Sequence, residues 1–255
     1  MGRSATAPTL ILPITSIGEG SVPSDHPLNR SAFGVRVRIR EDNRSVAHVT
    51  PLTPIANLSR DPFLGYLGTL QQSGVQQVFT SALRAKDQRF FYELGFTLHE
   101  ELLLLGHNFA TPLSTPLQPT RRGRRSDRSA ILHIDESAFP EFWRFDQSAL
   151  SEAIKATPKT RIRVNAQYPL AGFAITGRSG RLGFLQRLAV HPQHQRSGLG
   201  RSLVADALLW SKRRFVRELL VNTQMENVGA RELYESMGFS KKSAGLAVLQ
   251  WSADT

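Results

Sequence analysis

The sequence contains no cysteine. That excludes disulfides, thiol nucleophiles and Cys-ligated zinc. It also lacks any apolar run near the ~20 residues that a membrane-spanning helix needs. Its N-terminal apolar patch, Leu10-Ile11-Leu12, is broken by Pro13 and is too short for the core of a secretion signal. A soluble, cytoplasmic protein is expected, with no membrane partner and no metal site. Acidic residues are scarce: 21 Asp and Glu stand against 32 Lys and Arg, a net charge of +11. Such a balance favours anionic partners. Yet residues 1–128 carry 15 basic and 10 acidic side chains, and residues 129–255 carry 17 and 11. A surplus spread so evenly suits a phosphate-rich cofactor and disfavours nucleic acid.

Residues 1–32 are rich in Ser, Pro and Gly and read as a flexible segment. The alternation in Val35–Arg40 predicts a half-exposed strand. Further strands are expected at Val75–Ser81 and Leu98–Leu105, with helices at Pro62–Gln72 and Asp87–Leu94, the second ending at Gly95. Residues 111–129 hold Pro112, Pro116 and Pro119 and the arginines 121, 122, 124, 125 and 128. They read as a solvated linker. No aromatic residue is interleaved there to stack on a base.

The second half reads as strand Ile131–Ile134, helix Ser148–Ala156, then strands Arg161–Ala166, Leu170–Thr176 and Leu182–Val190. Helix Leu199–Arg214, strand Leu219–Thr223, helix Val228–Met237 and strand Ala247–Trp251 follow. Alternating strands and helices make the class α/β. A shift of 143 residues lays Val78 on Val221, Thr80 on Thr223, Phe91 on Tyr234, Gly95 on Gly238, Phe96 on Phe239 and Leu103 on Leu246. Strand, helix, Gly-Phe and strand recur in one order, as two copies of one fold would require.

The most informative stretch runs from Leu185 to Arg201. A buried strand enters a Pro-containing turn, and Gly198-Leu199-Gly200 then opens a helix. Glycines let the backbone approach a ligand closely. The first N–H groups of a helix have no internal partners, and the helix dipole adds positive charge, so the turn is an anion site. Gln195, Arg196 and Arg201 add donors around it.

Gln195-Arg196-Ser197-Gly198-Leu199-Gly200, following Leu188-Ala189-Val190, resembles the Arg/Gln-x-x-Gly-x-Gly/Ala signature of the GNAT superfamily of N-acetyltransferases. Asn227-Val228-Gly229-Ala230-Arg231-Glu232-Leu233-Tyr234-Glu235-Ser236-Met237-Gly238-Phe239 resembles the family's second motif. The resemblance covers about the last 120 residues well and the first half in outline. It implies a GNAT fold, a mixed central sheet flanked by helices, with acetyl-CoA as cosubstrate. Main-chain groups of Leu188, Ala189 and Val190 would align the pantetheine arm and acetyl group. N–H groups from Arg196 through Ser197, Gly198, Leu199, Gly200 and Arg201 to Ser202 would hold the pyrophosphate. Asn227 would bond the cofactor arm, and Tyr234 would protonate the departing thiolate. A phenol O–H beside sulfur is chemically suited to that task.

The implied layout is a flexible segment over 1–32, a degenerate GNAT-like copy over 33–110, a linker over 111–129 and a catalytic GNAT domain over 130–255. It is similar to the tandem arrangement of mycothiol synthases. The first copy lacks the phosphate signature, since Gly65-Tyr66-Leu67-Gly68 has the wrong spacing, and Phe91 stands where the second copy has Tyr234. No cofactor is expected there.

The general base is not legible. Where family members that acetylate ribosomal-protein N-termini carry a Glu, this chain has Asn222. Where others carry a carboxylate in the Leu188 strand, it has Gln186 and Arg187. Glu226, Asp135, Glu136, Glu141, His191 and His194 remain candidates. Phe139, Phe142, Trp143 and Phe145 either line the acceptor groove or pack in the core. The expected activity is acetyl transfer to a primary amine, of a small molecule or a peptide, by direct attack in a ternary complex. A non-catalytic acyl-CoA-binding or regulatory module is the alternative, and a homodimer is left open.

Overall fold

A computed structural model describes residues 9–10, 31–32 and 34–253. Most of the expected flexible segment at 1–32 therefore lies outside the described residues. The strands are β1 (Thr9–Leu10), β2 (Ser31–Ala32), β3 (Val35–Ile39), β4 (Val46–Pro51), β5 (Gln77–Thr80), β6 (Leu83–Arg84) and β7 (Thr97–His107). They continue as β8 (Thr120–Arg122), β9 (Lys159–Asn165), β10 (Gly172–Ser179), β11 (Leu182–Val190), β12 (Glu218–Gln224), β13 (Ser240–Lys241) and β14 (Leu246–Ser252). The helices are α1 (Arg60–Gln72), α2 (Ala85–Tyr92), α3 (Arg128–Ala138), α4 (Gln147–Lys155), α5 (Leu199–Arg213) and α6 (Val228–Ser236). None of the described helices is long and apolar enough to cross a membrane.

The chain forms two compact units, one of Pro13–Leu102 with Ala244–Thr255 and one of Met1–Leu12 with Leu103–Ser243. These boundaries differ from those expected at 110 and 129. The last strand of the second copy, β14, belongs to the N-terminal unit. The end of the first copy's last strand, from Leu103, belongs to the C-terminal unit. Each unit thus completes itself with a strand from the other copy's sequence.

In the N-terminal unit, antiparallel β2, β3 and β4 lead to β5, which runs parallel to β4. The strand β14 pairs antiparallel with β5, with β6 and with the first part of β7. Apolar residues of α1 (Phe63, Leu67, Leu70) and α2 (Phe91) close one face against Val35, Val37, Val49 and Val78. In the C-terminal unit, β8, β9, β10 and β11 are successive antiparallel neighbours, and β11 runs parallel to β12. Helix α5 buries Leu199, Leu203, Val204, Ala207 and Leu208 against Leu185, Leu188 and Val221, with Leu103 and Leu105 in the same core. Both units are mixed sheets flanked by helices.

Two expectations fail on local physics. Ile131–Ile134 is helical, part of α3. A four-residue apolar run is ambiguous by itself, and the buried set Ile131, Ile134 and Asp135 keeps the i, i+3, i+4 spacing of a helix face. The expected linker holds β8, whose Thr120–Arg122 pairs with β9. There Arg121 donates to both oxygens of Asp127 at 2.8 and 2.9 Å, which holds that carboxyl below its usual pKa.

The internal echo is structural. Gly95 and Gly238 have φ of +84° and +87°. Phe96 N donates to Phe91 O and Phe239 N to Tyr234 O, both at 3.1 Å. Phe91 and Phe96 rings lie 5.3 Å apart, and Tyr234 and Phe239 rings 5.4 Å.

Candidate active site

The strand β11 is paired unequally along its two edges. Towards β10 its register slips between Ile175 and Thr176, so that Gln186 is an extra residue in a β-bulge. Towards β12 the parallel pairing runs only from Leu182↔Glu218 to Phe184↔Leu220. Further along that strand, β1 pairs with it, Thr9↔Leu188 and Leu10↔Arg187. The edge expected to align the pantetheine arm is therefore shared at Leu188 with the chain's own N-terminal strand.

After Val190 the chain turns through Pro192–His194 into α5. Arg196 and Gly198 take left-handed φ of +61° and +87°. A Cβ on Gly198 would meet nothing closer than Gln118 Nε2 at 3.9 Å. Glycine is there for its φ. Helix α5 starts its own bonding with Ser202 N donating to Gly198 O at 3.0 Å, so the N–H groups of Leu199, Gly200 and Arg201 have no partner within the helix. Two left-handed residues with orphan N–H groups at a helix start form a cradle for an anion. This is the chemistry a pyrophosphate needs.

The predicted binding residues divide by what they already do. Gln195 Nε2 donates to Val190 O at 3.1 Å and braces the turn. Ser202 Oγ donates to Gly198 O at 3.1 Å and accepts from Gln118 N at 3.0 Å. Gln118 Nε2 also donates to Ser197 O at 2.6 Å. Gln118 is a support that sequence reasoning missed, because it sits in the segment read as a linker. Arg201 donates to Ser236 Oγ at 2.7 Å. Arg196 stands exposed, 3.8 Å from Glu232. Asn227 caps α6, accepting from Ala230 N at 3.1 Å. Tyr234 is fully buried in the core that also holds Leu188, Leu199 and Phe239.

Beside the bulge lies a buried ion pair. Arg187 and Asp135 side chains are both 0% exposed. Arg187 donates to both Asp135 oxygens and to Trp143 O, each at 2.7 Å. Its guanidinium carbon sits 3.2 Å from the Phe139 ring centroid and 3.9 Å from that of Phe145. Burial lowers the Arg187 pKa, and Asp135 opposes the shift. Asp135 Oδ1 also accepts Phe145 N at 2.7 Å. Both Asp135 oxygens are thus engaged by the fold itself. Phe139 and Phe145 clamp this arginine, so their principal contact lies within the fold.

Glu136, Glu141 and Glu226 are exposed. Asn222 is fully buried, and neither atom of its carboxamide has a hydrogen-bond partner. The structure also brings His133, on α3, to 6.1 Å from His191, whose ring lies 6.0 Å from His194. Desolvation, then repulsion from His194 and His133, lowers the His191 pKa.

The profile of the Acetyltransferase (GNAT) family matches residues 128–239. Over 120 residues the chain is 32% identical to the ribosomal protein bS18-alanine N-acetyltransferase of Escherichia coli, spanning 46% of this chain and 76% of that protein. It is 31% identical over 145 residues to the mycothiol acetyltransferase of Kocuria rhizophila, spanning 51% of this chain and 47% of that protein. A tandem GNAT protein from the clavulanic acid biosynthesis pathway shares the fold at a TM-score of 0.57 and 14% identity, over 82% of this chain and 75% of that one. Signature, cradle and relatives agree: the chain belongs to the GNAT family of N-acetyltransferases and has a tandem GNAT architecture.

Proposed function

We propose that this protein transfers the acetyl group of acetyl-CoA to a primary amine by direct attack within a ternary complex. The observation that carries the reading is the cradle at Arg196–Arg201, with two left-handed residues and unspent N–H groups at the start of α5. Its N–H groups and the charges of Arg196 and Arg201 would hold the pyrophosphate. The backbone at Leu188–Val190 would align the acetyl end, which requires Thr9–Leu10 to leave Leu188. Acetyl-CoA supplies the acetyl group as an activated thioester. Tyr234 would donate the proton that the thiolate takes up on leaving.

The acceptor is an amine that reaches the site neutral at little cost. Among the described residues the carboxylate beside the bulge, Asp135, is held by Arg187, and Asn222 cannot take a proton. Deprotonating a lysine with pKa near 10.4 at pH 7 costs about 4.6 kcal/mol, against about 1 kcal/mol for an α-amine near 7.8. The bS18-alanine and mycothiol acetyltransferases among the relatives are consistent with such acceptors. The test compares kcat/KM for a neutral peptide with a free N-terminus, an amino sugar and a basic lysine peptide between pH 6.5 and 9, following free CoA. The first two should lead at neutral pH, and a lead for the lysine peptide there would overturn the assignment.

The unpartnered Asn222 carboxamide at a base position favours one competing reading, a non-catalytic acyl-CoA-binding module. Tight acetyl-CoA binding without CoA release in any acceptor arm would establish it.

A further inference from the structure

Four helices of this chain end in the same Schellman geometry, and one of them ends in the wrong residue. After α1, Gly74 N donates to Gln71 O at 2.9 Å and Val75 N to Leu70 O at 3.0 Å. The ends of α2 and α6 repeat the pattern with Gly95 and Gly238 at the left-handed position. After α5, Val216 N donates to Ser211 O at 3.2 Å and Phe215 N to Lys212 O at 3.1 Å. There the left-handed residue is Phe215, at φ +57°. Bulky residues rarely adopt this conformation, and glycine adopts it freely. Nor does Phe215 recover the strain by burial, since it is 86% exposed. Among the described residues nothing accounts for a phenylalanine here, which leaves its ring available to a partner.

Its surroundings say what. Lys212, Arg213, Arg214 and Arg217 flank it, and all are exposed. Arg181 joins them, because Arg217 N donates to Arg181 O at 2.7 Å. Among the described residues none of these five cations makes an ion pair. The one carboxylate on the turn, Glu218, is taken by Lys242 at 2.7 Å. Leu182, 43% exposed, pairs with Glu218 at the start of the neighbouring strands.

We infer that this knob docks single-stranded RNA, with one base stacked on Phe215 and the adjoining phosphates on the arginines. A stacked base asks for one ring face, and each phosphate for one cation. A protein interface asks for about 800 Å² per side with an apolar centre, and a membrane anchor for a broad apolar face. Phe215 and Leu182 provide neither. The arginine run at 121–128 has no aromatic among it, whereas this cluster does. The knob lies at the start of β11 and β12. The anion cradle follows the far end of β11, roughly 25 Å away at the rise of a strand, so occupation of one leaves the other free.

The test uses the full-length protein and a fluorescein-labelled 15-nucleotide polyuridine RNA, read by fluorescence anisotropy. Binding should weaken steeply with added salt. Phe215→Gly should weaken it roughly tenfold, while the melting temperature stays level or rises and acetyl transfer to a small amine is unchanged. That pairing separates docking from misfolding. Arg213→Gln with Arg217→Gln should flatten the salt dependence. The inference is overturned if Phe215→Gly binds as wild type does, or if the wild type shows no salt-dependent binding. It is overturned equally if phosphatidylglycerol vesicles are bound more tightly than the RNA in a Phe215-dependent way, which would make the partner a membrane surface.

Discussion

The two copies within this chain share their scaffold and differ where a ligand would sit. Phe91, Gly95 and Phe96 reproduce the contacts of Tyr234, Gly238 and Phe239 to within 0.1 Å in ring separation, from 5.3 Å to 5.4 Å. The parallel pair is where they part. In the first copy β4 and β5 stay paired from Val46↔Gln77 to Val49↔Thr80, and Ser81 N still donates to Val49 O at 2.9 Å. In the second, β11 and β12 cease to pair after Phe184↔Leu220, and β11 runs on to Val190 with Leu10 and Thr9 paired to Arg187 and Leu188. The helix entries differ too. Ser59 precedes α1 with an extended φ of −101°, whereas Gly198 precedes α5 at +87°. The first copy therefore keeps the core contacts of the second without its diverging parallel strands and left-handed helix entry.

The largest expected effect concerns how the copies are built into units. A fragment of residues 129–255 should fail to fold cooperatively. It lacks Leu103 and Leu105 of the C-terminal core, and it carries Ala247 and Leu249, whose partners lie in the N-terminal unit. Circular dichroism melting would show no sigmoidal transition. A cooperative melt like that of the full chain would mean that the exchanged strands are dispensable.

Next is the residue on which the copies most plainly differ in chemistry. Tyr234→Phe should lower kcat by about 10²–10⁴-fold with acetyl-CoA affinity retained, because only the O–H is lost. Phe91→Tyr in the other copy should leave kcat unchanged. Turnover of Tyr234→Phe within about twofold of wild type would assign thiolate protonation elsewhere.

A smaller effect, on stability, tests the ion pair that the described N-terminal unit has no counterpart for. Asp135→Ala should cost about 3–5 kcal/mol in denaturant unfolding, since it strands the buried Arg187 charge. Replacing the pair together, Asp135→Leu with Arg187→Met, should recover most of that loss. If the single change costs under about 1 kcal/mol, the pair is solvated and its clamping role fails.

Much of this was legible in the sequence because punctuation was. Gly95, Gly198 and Gly238 mark the helix boundaries, and the signature around Gln195–Gly200 coincides with the left-handed turn that opens α5. The strand expected over Leu182–Val190 has those limits in the structure. What escaped depended on tertiary partners. Ile131–Ile134 looked like a strand because Asp135, which completes its helical face, finds its partner 52 residues away in Arg187. Gln118 and Thr120–Arg122 looked like linker because their bonds reach Ser197, Ser202 and β9. The exchange of β14 and the end of β7 left no local trace, since either strand has the same apolar pattern whichever unit receives it. The left-handed φ of Phe215 has no sequence signal, since it exists only in three dimensions.

Acetyl-CoA is expected to bind the second copy and not the first. Isothermal titration of acetyl-CoA into the full-length chain tests it most directly, with the folded Gly198→Asp variant alongside. Aspartate places a negative charge in the cradle at a left-handed φ that asparagine tolerates, so Gly198→Asn serves as the control for backbone strain. One site per chain is expected in the wild type, with binding retained in Gly198→Asn and none in Gly198→Asp. Two sites in the wild type, or one site persisting in Gly198→Asp, would contradict it.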